Sequence, residues 1–164
     1  VKLHTPGILL NPQQCEEIIQ LAHAQGFEPN SNSPDIRTNT VSWIEPPEWL
    51  YVLMWEVTAK RTLNIPTVTW LQPFQVSRYG VGESYDWHQD LVDTRSWRKS
   101  KRTATVTVTL QSAEGAGVEI QDLGVVCRDQ GEAVMFRATD QHRALAPKRG
   151  ERYALTVWCM GPNL

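Results

Sequence analysis

Two hydrophobic periods divide this chain: helical spacing in its N-terminal part and strict alternation from Thr67 onward. Asn11-Pro12 offers a side-chain acceptor at a helix N-cap and a proline at the first helical position, where no backbone hydrogen bond is lost. Cys15, Ile18, Ile19 and Ala22 then fall on one helical face, and Gly26 supplies a stop. Residues 28–35 are polar and read as loop, whereas 37–44 suit a short strand. Pro46-Pro47 opens a second helix whose apolar stripe is Leu50, Leu53, Met54 and Val57. Beyond 67, alternating segments at 74–79, 103–110, 117–121, 132–136 and 152–159 read as strands separated by turns. Two one-sided helices followed by many short strands predict an α+β fold, with the helices packed on a sandwich or barrel. The chain has no internal repeat, low-complexity tract or linker. One domain over 1–164 is expected, with 1–66 as a helical support and 67–161 as the core.

The alternation assigns faces. Thr103, Thr105, Thr107 and Thr109 share one side of their strand, opposite Ala104, Val106, Val108 and Leu110. A threonine row usually faces water, but it also suits the polar interior of a ligand-binding barrel. In the last strand Arg152, Ala154, Thr156 and Trp158 share a side, opposite Tyr153, Leu155, Val157 and Cys159. An arginine and a threonine beside a tryptophan suit a pocket wall better than an open surface.

Composition narrows the partners. A formal net charge of -2 gives no global attraction to nucleic acid or acidic membranes. No apolar run approaches the roughly 20 residues of a membrane-spanning helix. Cys15, Cys127 and Cys159 are odd in number, widely spaced and without a zinc-ligand pattern, so we expect reduced thiols and a cytoplasmic location. The first residue is Val1, and a targeting signal ahead of it would not be visible.

The chemistry concentrates in Tyr85-Asp86-Trp87-His88-Gln89-Asp90, with His142 and Arg152 far downstream. Residues two apart on an extended chain project to one side, with Cα atoms roughly 6–7 Å apart, so His88 and Asp90 can converge on one ion. Imidazole and carboxylate donors suit iron(II), and no cysteine lies near to suggest a structural zinc site. Taken alone, a His-x-Asp pair is weak, since an ordinary strand histidine beside a turn aspartate looks the same. Adding His142 gives the two-histidine, one-carboxylate set that occupies one face of iron and leaves the other open. Arg152 reads either as a surface ion pair or as a planar fork gripping a carboxylate through two parallel hydrogen bonds. His4, near the chain end, and His23, on the first helix, read as structural or solvated.

Three stretches carry a family resemblance across about residues 9–160. They are Gln75-Val-Ser-Arg-Tyr79-Gly80-x-Gly82-x5-His88-x-Asp90, then Arg102 through Leu110, then His142-Arg-Ala-Leu-Ala-Pro147-x2-Gly150-x-Arg152-Tyr-Ala-Leu-Thr156-x-Trp158. In this order the chain resembles the 2-oxoglutarate- and iron(II)-dependent dioxygenases, specifically the prolyl 4-hydroxylase branch; Arg37-Thr38 ahead of Trp43 is similar too. The resemblance implies a double-stranded β-helix (jelly roll) with His88, Asp90 and His142 as iron ligands. It implies that Arg152 pairs with the distal carboxylate of 2-oxoglutarate, that Tyr79 hydrogen-bonds that cosubstrate, and that Thr156 and Trp158 lie beside the iron. Arg102 matches an arginine that contacts peptide substrate. The segment 91–101, with Arg95, Trp97, Arg98, Lys99 and Lys101, reads either as a solvated basic loop or as a lid in which Trp97 packs on a peptide. Departures from the family pattern are Thr109, where a tyrosine often contributes to the cosubstrate pocket, and Ala116-Gly117, where paired glycines are usual.

The implied activity is hydroxylation of prolyl residues in a peptide or protein, coupled to decarboxylation of 2-oxoglutarate to succinate. Dioxygen is the co-reactant and ascorbate a candidate reductant. Asp90 points to hydroxylation, because halogenating relatives lack this carboxylate. A free amino acid or small metabolite could take the same chemistry. Nucleic acid is disfavoured, since Trp158 stands where the nucleic-acid demethylases have a second arginine. A non-catalytic metal-binding jelly roll would need no cosubstrate anchor, and a zinc hydrolase built on two histidines and an aspartate would need no 2-oxoglutarate.

Overall fold

The computed structural model describes residues 3–30, 34–60, 63–91 and 100–162. Its elements run β1 (His4–Ile8), α1 (Pro12–Gln25), β2 (Glu28–Pro29), β3 (Thr40–Ile44), α2 (Glu48–Ala59), β4 (Trp70–Leu71) and β5 (Phe74–Tyr79). They continue with β6 (Tyr85–His88), β7 (Ser100–Gln111), β8 (Gly117–Ile120), β9 (Gly124–Val126), β10 (Glu132–Arg137), β11 (His142–Leu145) and β12 (Arg152–Pro162). All strand pairs are antiparallel. One sheet has the order β1-β10-β7-β12-β5-β3-β2, with β4 alongside β12; the other is β6-β11-β8-β9. Side chains from both sheets line a single pocket, so the two face each other as the walls of a jelly roll.

α1 is built as its sequence suggests. The Asn11 side chain accepts from the Gln14 backbone N–H at 2.8 Å, and Gln14 returns a bond to the Asn11 backbone N–H at 2.9 Å, closing a capping box. Cys15, Ile18, Ile19 and Ala22 are its buried face. α2 buries Leu50, Met54 and Val57, with Leu53 partly covered. Both helices pack on the outer face of the large sheet, against Ala104, Val106, Val108 and Leu110 of β7 and Leu155 and Val157 of β12. His23 is structural: its Nε2 lies 3.1 Å from the Tyr153 hydroxyl, and its ring packs on Phe27 and Tyr153.

The threonine row faces inward and is buried throughout. Water is replaced by internal acceptors: Thr103 donates to the Cys159 carbonyl, Thr107 to the Leu155 carbonyl and Thr109 to the Cys127 carbonyl, at 3.2, 3.2 and 2.6 Å. Thr105 donates instead to the Asp90 carboxylate. A polar row can thus line the interior without orphaned hydroxyls. A second, smaller core of Val118, Ile120, Cys127, Val134 and Phe136 fills the space between the sheets at one end.

Several strands escape the sequence pattern. β1 pairs with β10, placing His4 opposite Met135 in a ladder rather than at a loose end, and β2 lies within the stretch that reads as loop. The N-terminal part is therefore more than a helical support, since β1, β2 and β3 all extend the large sheet. β6 and β11 are too polar to show alternation, yet they carry the metal-binding histidines. Ala116 stands in the position of the first glycine of the usual pair without strain, whereas a Cβ on Gly117 would lie 2.7 Å from Val125 Cγ1. The cysteines are free and buried, and no helix among the described residues is long and apolar enough to cross a membrane.

Candidate active site

β6 and β11 pair so that His142 lies opposite His88 and Ala144 opposite Tyr85. Three residues of β11, 142–144, thus match four of β6, 85–88, a bulge that turns both Tyr85 and His88 toward the pocket. Their rings stack, with centroids 3.5 Å apart and planes 11° from parallel. Asp90 follows the strand, its backbone N–H donating to the Ala138 carbonyl at 3.0 Å. One carboxylate then serves both histidines: His88 Nε2 lies 3.5 Å from Asp90 Oδ1, and His142 Nε2 lies 3.5 Å from Oδ2. The three ligand atoms fall within 4.8 Å of one another.

Backbone carbonyls orient both rings. His88 Nδ1 is 2.7 Å from the Asp86 carbonyl and His142 Nδ1 is 2.9 Å from that of Asp140. Each Nδ1 therefore carries the proton, and each Nε2 presents its lone pair to the centre, as metal-ligating histidines require. Burial alone would raise the Asp90 carboxyl, but with the imidazoles protonated, as they are in acid, a His88 N–H, the charges of His142 and His88 and the Thr105 hydroxyl together hold it well below the usual carboxylate range. Burial lowers His142 from its ordinary value, opposed by the charge of Asp90, and so favours the neutral imidazole that binds metal. Two neutral imidazoles and one carboxylate fit iron(II), with the rest of the coordination sphere open toward the pocket.

The pocket spans about 480 Å³, part of it open to solvent, with Arg152 on its wall. Arg152 is 2% exposed; its Nη2 donates to Thr109 Oγ1 at 3.2 Å, and its Nε has no partner. No carboxylate pairs with it among the described residues. A buried guanidinium with an orphaned N–H beside an open cavity lacks an anion, and a dicarboxylic keto acid fits that need. Tyr79 lies across the ladder from it, with the Arg152 guanidinium 5.8 Å from its ring centre. Thr156 and Trp158 line the same wall.

Thr109 is placed differently from a cosubstrate ligand. It is fully buried behind Arg152, and its single hydroxyl proton goes to the Cys127 carbonyl. It can therefore only accept from Arg152, which makes it a support for the anchor rather than a wall of the pocket. Arg102 also acts through another residue: its guanidinium lies 4.1 Å over the Trp158 ring, and its Nε donates to Gln72 at 2.6 Å. Of the predicted lid, 91–101, residues 92–99 with Trp97 lie outside the described residues, while Ser100 and Lys101 begin β7.

Sequence reasoning gave no role in the pocket to Arg37, Gln75, Ser77 and Tyr85, all of which line it. Arg37 is 8% exposed; its Nε donates to Asn39 Oδ1 at 2.7 Å and its Nη2 to Gln75 Oε1 and Ser77 Oγ at 3.0 and 3.3 Å. Its guanidinium also sits 4.5 Å over the Tyr85 ring. The recoverable signal was parity, since Gln75, Ser77 and Tyr79 alternate on the inner face of a recognisable strand.

A double-stranded β-helix holding two histidines, a carboxylate and a buried arginine around one cavity defines a non-haem iron oxygenase that uses a keto-acid cosubstrate. The chain belongs to the 2OG-Fe(II) oxygenase superfamily, whose family model matches residues 74–160 and so covers every one of these groups. Among solved structures it is similar to the viral collagen prolyl hydroxylase of Paramecium Bursaria Chlorella virus-1 in its 2OG complex. That similarity has 21% identity, covers 97% of this chain and 96% of that one, and has a TM-score of 0.78. A Pseudomonas putida prolyl-4-hydroxylase matches at 18% identity, with 97% and 92% coverage and a TM-score of 0.71. A Trichoplax adhaerens prolyl hydroxylase, solved with a hypoxia inducible factor peptide fragment, matches at 19% identity, with 96% and 82% coverage and a TM-score of 0.71. No curated protein matches the sequence.

Proposed function

We propose that this oxygenase hydroxylates prolyl residues in a peptide or protein, using iron(II) held by His88, Asp90 and His142 and 2-oxoglutarate anchored by Arg152. The observation that carries this reading is the unpaired Nε of Arg152, buried on the wall of the cavity that the three metal-binding side chains also face. Iron and 2-oxoglutarate, when bound, supply the oxidising chemistry that places one oxygen atom of O2 in a substrate C–H bond and releases succinate and carbon dioxide.

The protein's own residues supply placement. Thr105 keeps the Asp90 carboxylate from rotating, and the Asp86 and Asp140 carbonyls hold both imidazoles with their Nε2 lone pairs inward. Arg152, supported by Thr109, fixes the far carboxylate of the cosubstrate and satisfies its own orphaned N–H. Tyr85 and Trp158 add aromatic carbon to the pocket wall, which suits a pyrrolidine ring and excludes water. Prolyl peptide is favoured because prolyl hydroxylases share this fold over nearly the whole chain, and the Trichoplax enzyme was solved with a peptide fragment.

A free amino acid is the second reading, favoured by Arg37. This buried guanidinium pairs with no carboxylate among the described residues and could receive an α-carboxylate. Both readings are tested by incubating the purified protein with iron(II), ascorbate and 2-oxoglutarate, and measuring succinate release and the gain of one oxygen atom by mass spectrometry. Stimulation by proline-containing peptides, but not by free amino acids, supports the first; the reverse result supports the second.

A further inference from the structure

β3 continues the pocket toward the edge of the large sheet. Its register sets Trp43 opposite Gln75 and Val41 opposite Ser77, and Gln75 and Ser77 line the pocket. Trp43 therefore lies on the inner face, yet it is 44% exposed. Its ring centre is 5.8 Å from that of Trp158, whose other face is covered by Arg102. Arg102 in turn holds Gln72, and Gln72 and Trp43 line a groove with Pro46, Tyr51 and Pro73. Tyr51 is 39% exposed, with Phe74 stacked on it at 6.1 Å and Trp55 edge-on at 6.3 Å, so part of it too is left for a ligand in the groove. The catalytic pocket and the aromatic groove thus meet along the Trp158–Trp43 contact.

A second feature points to a ligand along this path. Trp158 Nε1 is buried and without a hydrogen-bond partner, and the residue lines the pocket beside Trp43. An indole N–H in that state awaits an acceptor. A polyproline II segment offers one, since its carbonyls make no internal hydrogen bonds, and such segments dock into aromatic-lined grooves.

Resting on the reading that the substrate is a prolyl peptide, we infer that the Trp43–Tyr51 groove binds a second proline of that peptide, flanking the one that reacts. The groove selects proline-rich sequence by stacking and apolar burial, and the Trp158 N–H donates to a carbonyl of the chain that joins the two prolines. The enzyme thereby reads a motif rather than an isolated residue.

The test uses peptides with one reacting proline among alanines, and the same peptides with a second proline placed at successive positions on either side. Binding is measured by calorimetry on the full chain with manganese(II) and 2-oxoglutarate, and turnover with iron(II). On one side the second proline should tighten binding about tenfold, the effect of one aromatic contact. Trp43→Ala should reduce that gain to below about twofold, Tyr51→Ala should weaken it, and Trp43→Phe should restore it. The single-proline peptide and peptide-independent succinate release should be unchanged throughout. A gain that survives in Trp43→Ala, or no gain at any position in the unmodified protein, overturns the inference while leaving the hydroxylase reading intact. A Trp43-dependent gain without added oxygen upholds the groove and refutes prolyl hydroxylation.

Discussion

Replacing Arg152 by methionine should stabilise the protein without its cosubstrate while destroying its ability to bind that cosubstrate. The guanidinium is 2% exposed, its Nη2 has only the neutral Thr109 hydroxyl, and its Nε has nothing. A buried unsatisfied polar group costs roughly 1–3 kcal/mol, and an unpaired buried charge more. Methionine is an apolar side chain of similar reach and removes that cost, leaving Thr109 an acceptor lone pair short of a donor, a smaller loss. For a chain of this size 1 kcal/mol moves Tm by about 2–4 °C, so the variant should melt roughly 2–10 °C higher in the absence of 2-oxoglutarate. With manganese(II) and 2-oxoglutarate at 100 times its Kd, the unmodified protein gains about 2.7 kcal/mol and should overtake the variant. Truncating one partner of a buried charge pair costs about 3–5 kcal/mol, so the KM for 2-oxoglutarate should rise by two orders of magnitude or more. Differential scanning calorimetry with and without 2-oxoglutarate reads both effects. If the variant melts lower without cosubstrate although its circular dichroism is native, Arg152 is not an unpaired charge and the anchor argument fails.

Thr109→Val should raise the KM for 2-oxoglutarate about tenfold with kcat little changed, because Arg152 loses its hydrogen-bonded support. Thr109→Ser should restore it, and a kcat effect of equal size would indicate general damage instead. Thr105→Val frees the Asp90 carboxylate and should weaken manganese(II) binding about 10–100-fold by titration calorimetry, with the fold intact. Acid should release metal as His142 protonates. Since burial holds this imidazole below its ordinary value, metal should stay bound until the pH falls below about 6.5, and a release midpoint above that would contradict the buried, neutral ligand. Arg102→Ala removes the cover of Trp158 and the hold on Gln72; peptide KM should rise while peptide-independent succinate release persists, as paired assays would show.

The primary structure alone determined whatever depends on near neighbours. Asn11, Pro12 and Gly26 bound the first helix, and parity put Arg152, Ala154, Thr156 and Trp158 on one wall, because caps and strand alternation are set within a few residues. The two-residue spacing of His88 and Asp90 likewise contained their convergence. Other features were decided only when the sheets closed on each other. The threonine row could have faced water until Asp90 and three carbonyls arrived to accept its hydroxyls. Thr109 became a support rather than a ligand because Cys127, eighteen residues on, takes its proton. Tyr85 joined His88 through a bulge that exists only against β11, and Arg37 became a pocket residue through Gln75 and Ser77 on another strand. Such partners meet by ladder pairing across many residues, and local pattern carries no record of which distant group will stand opposite.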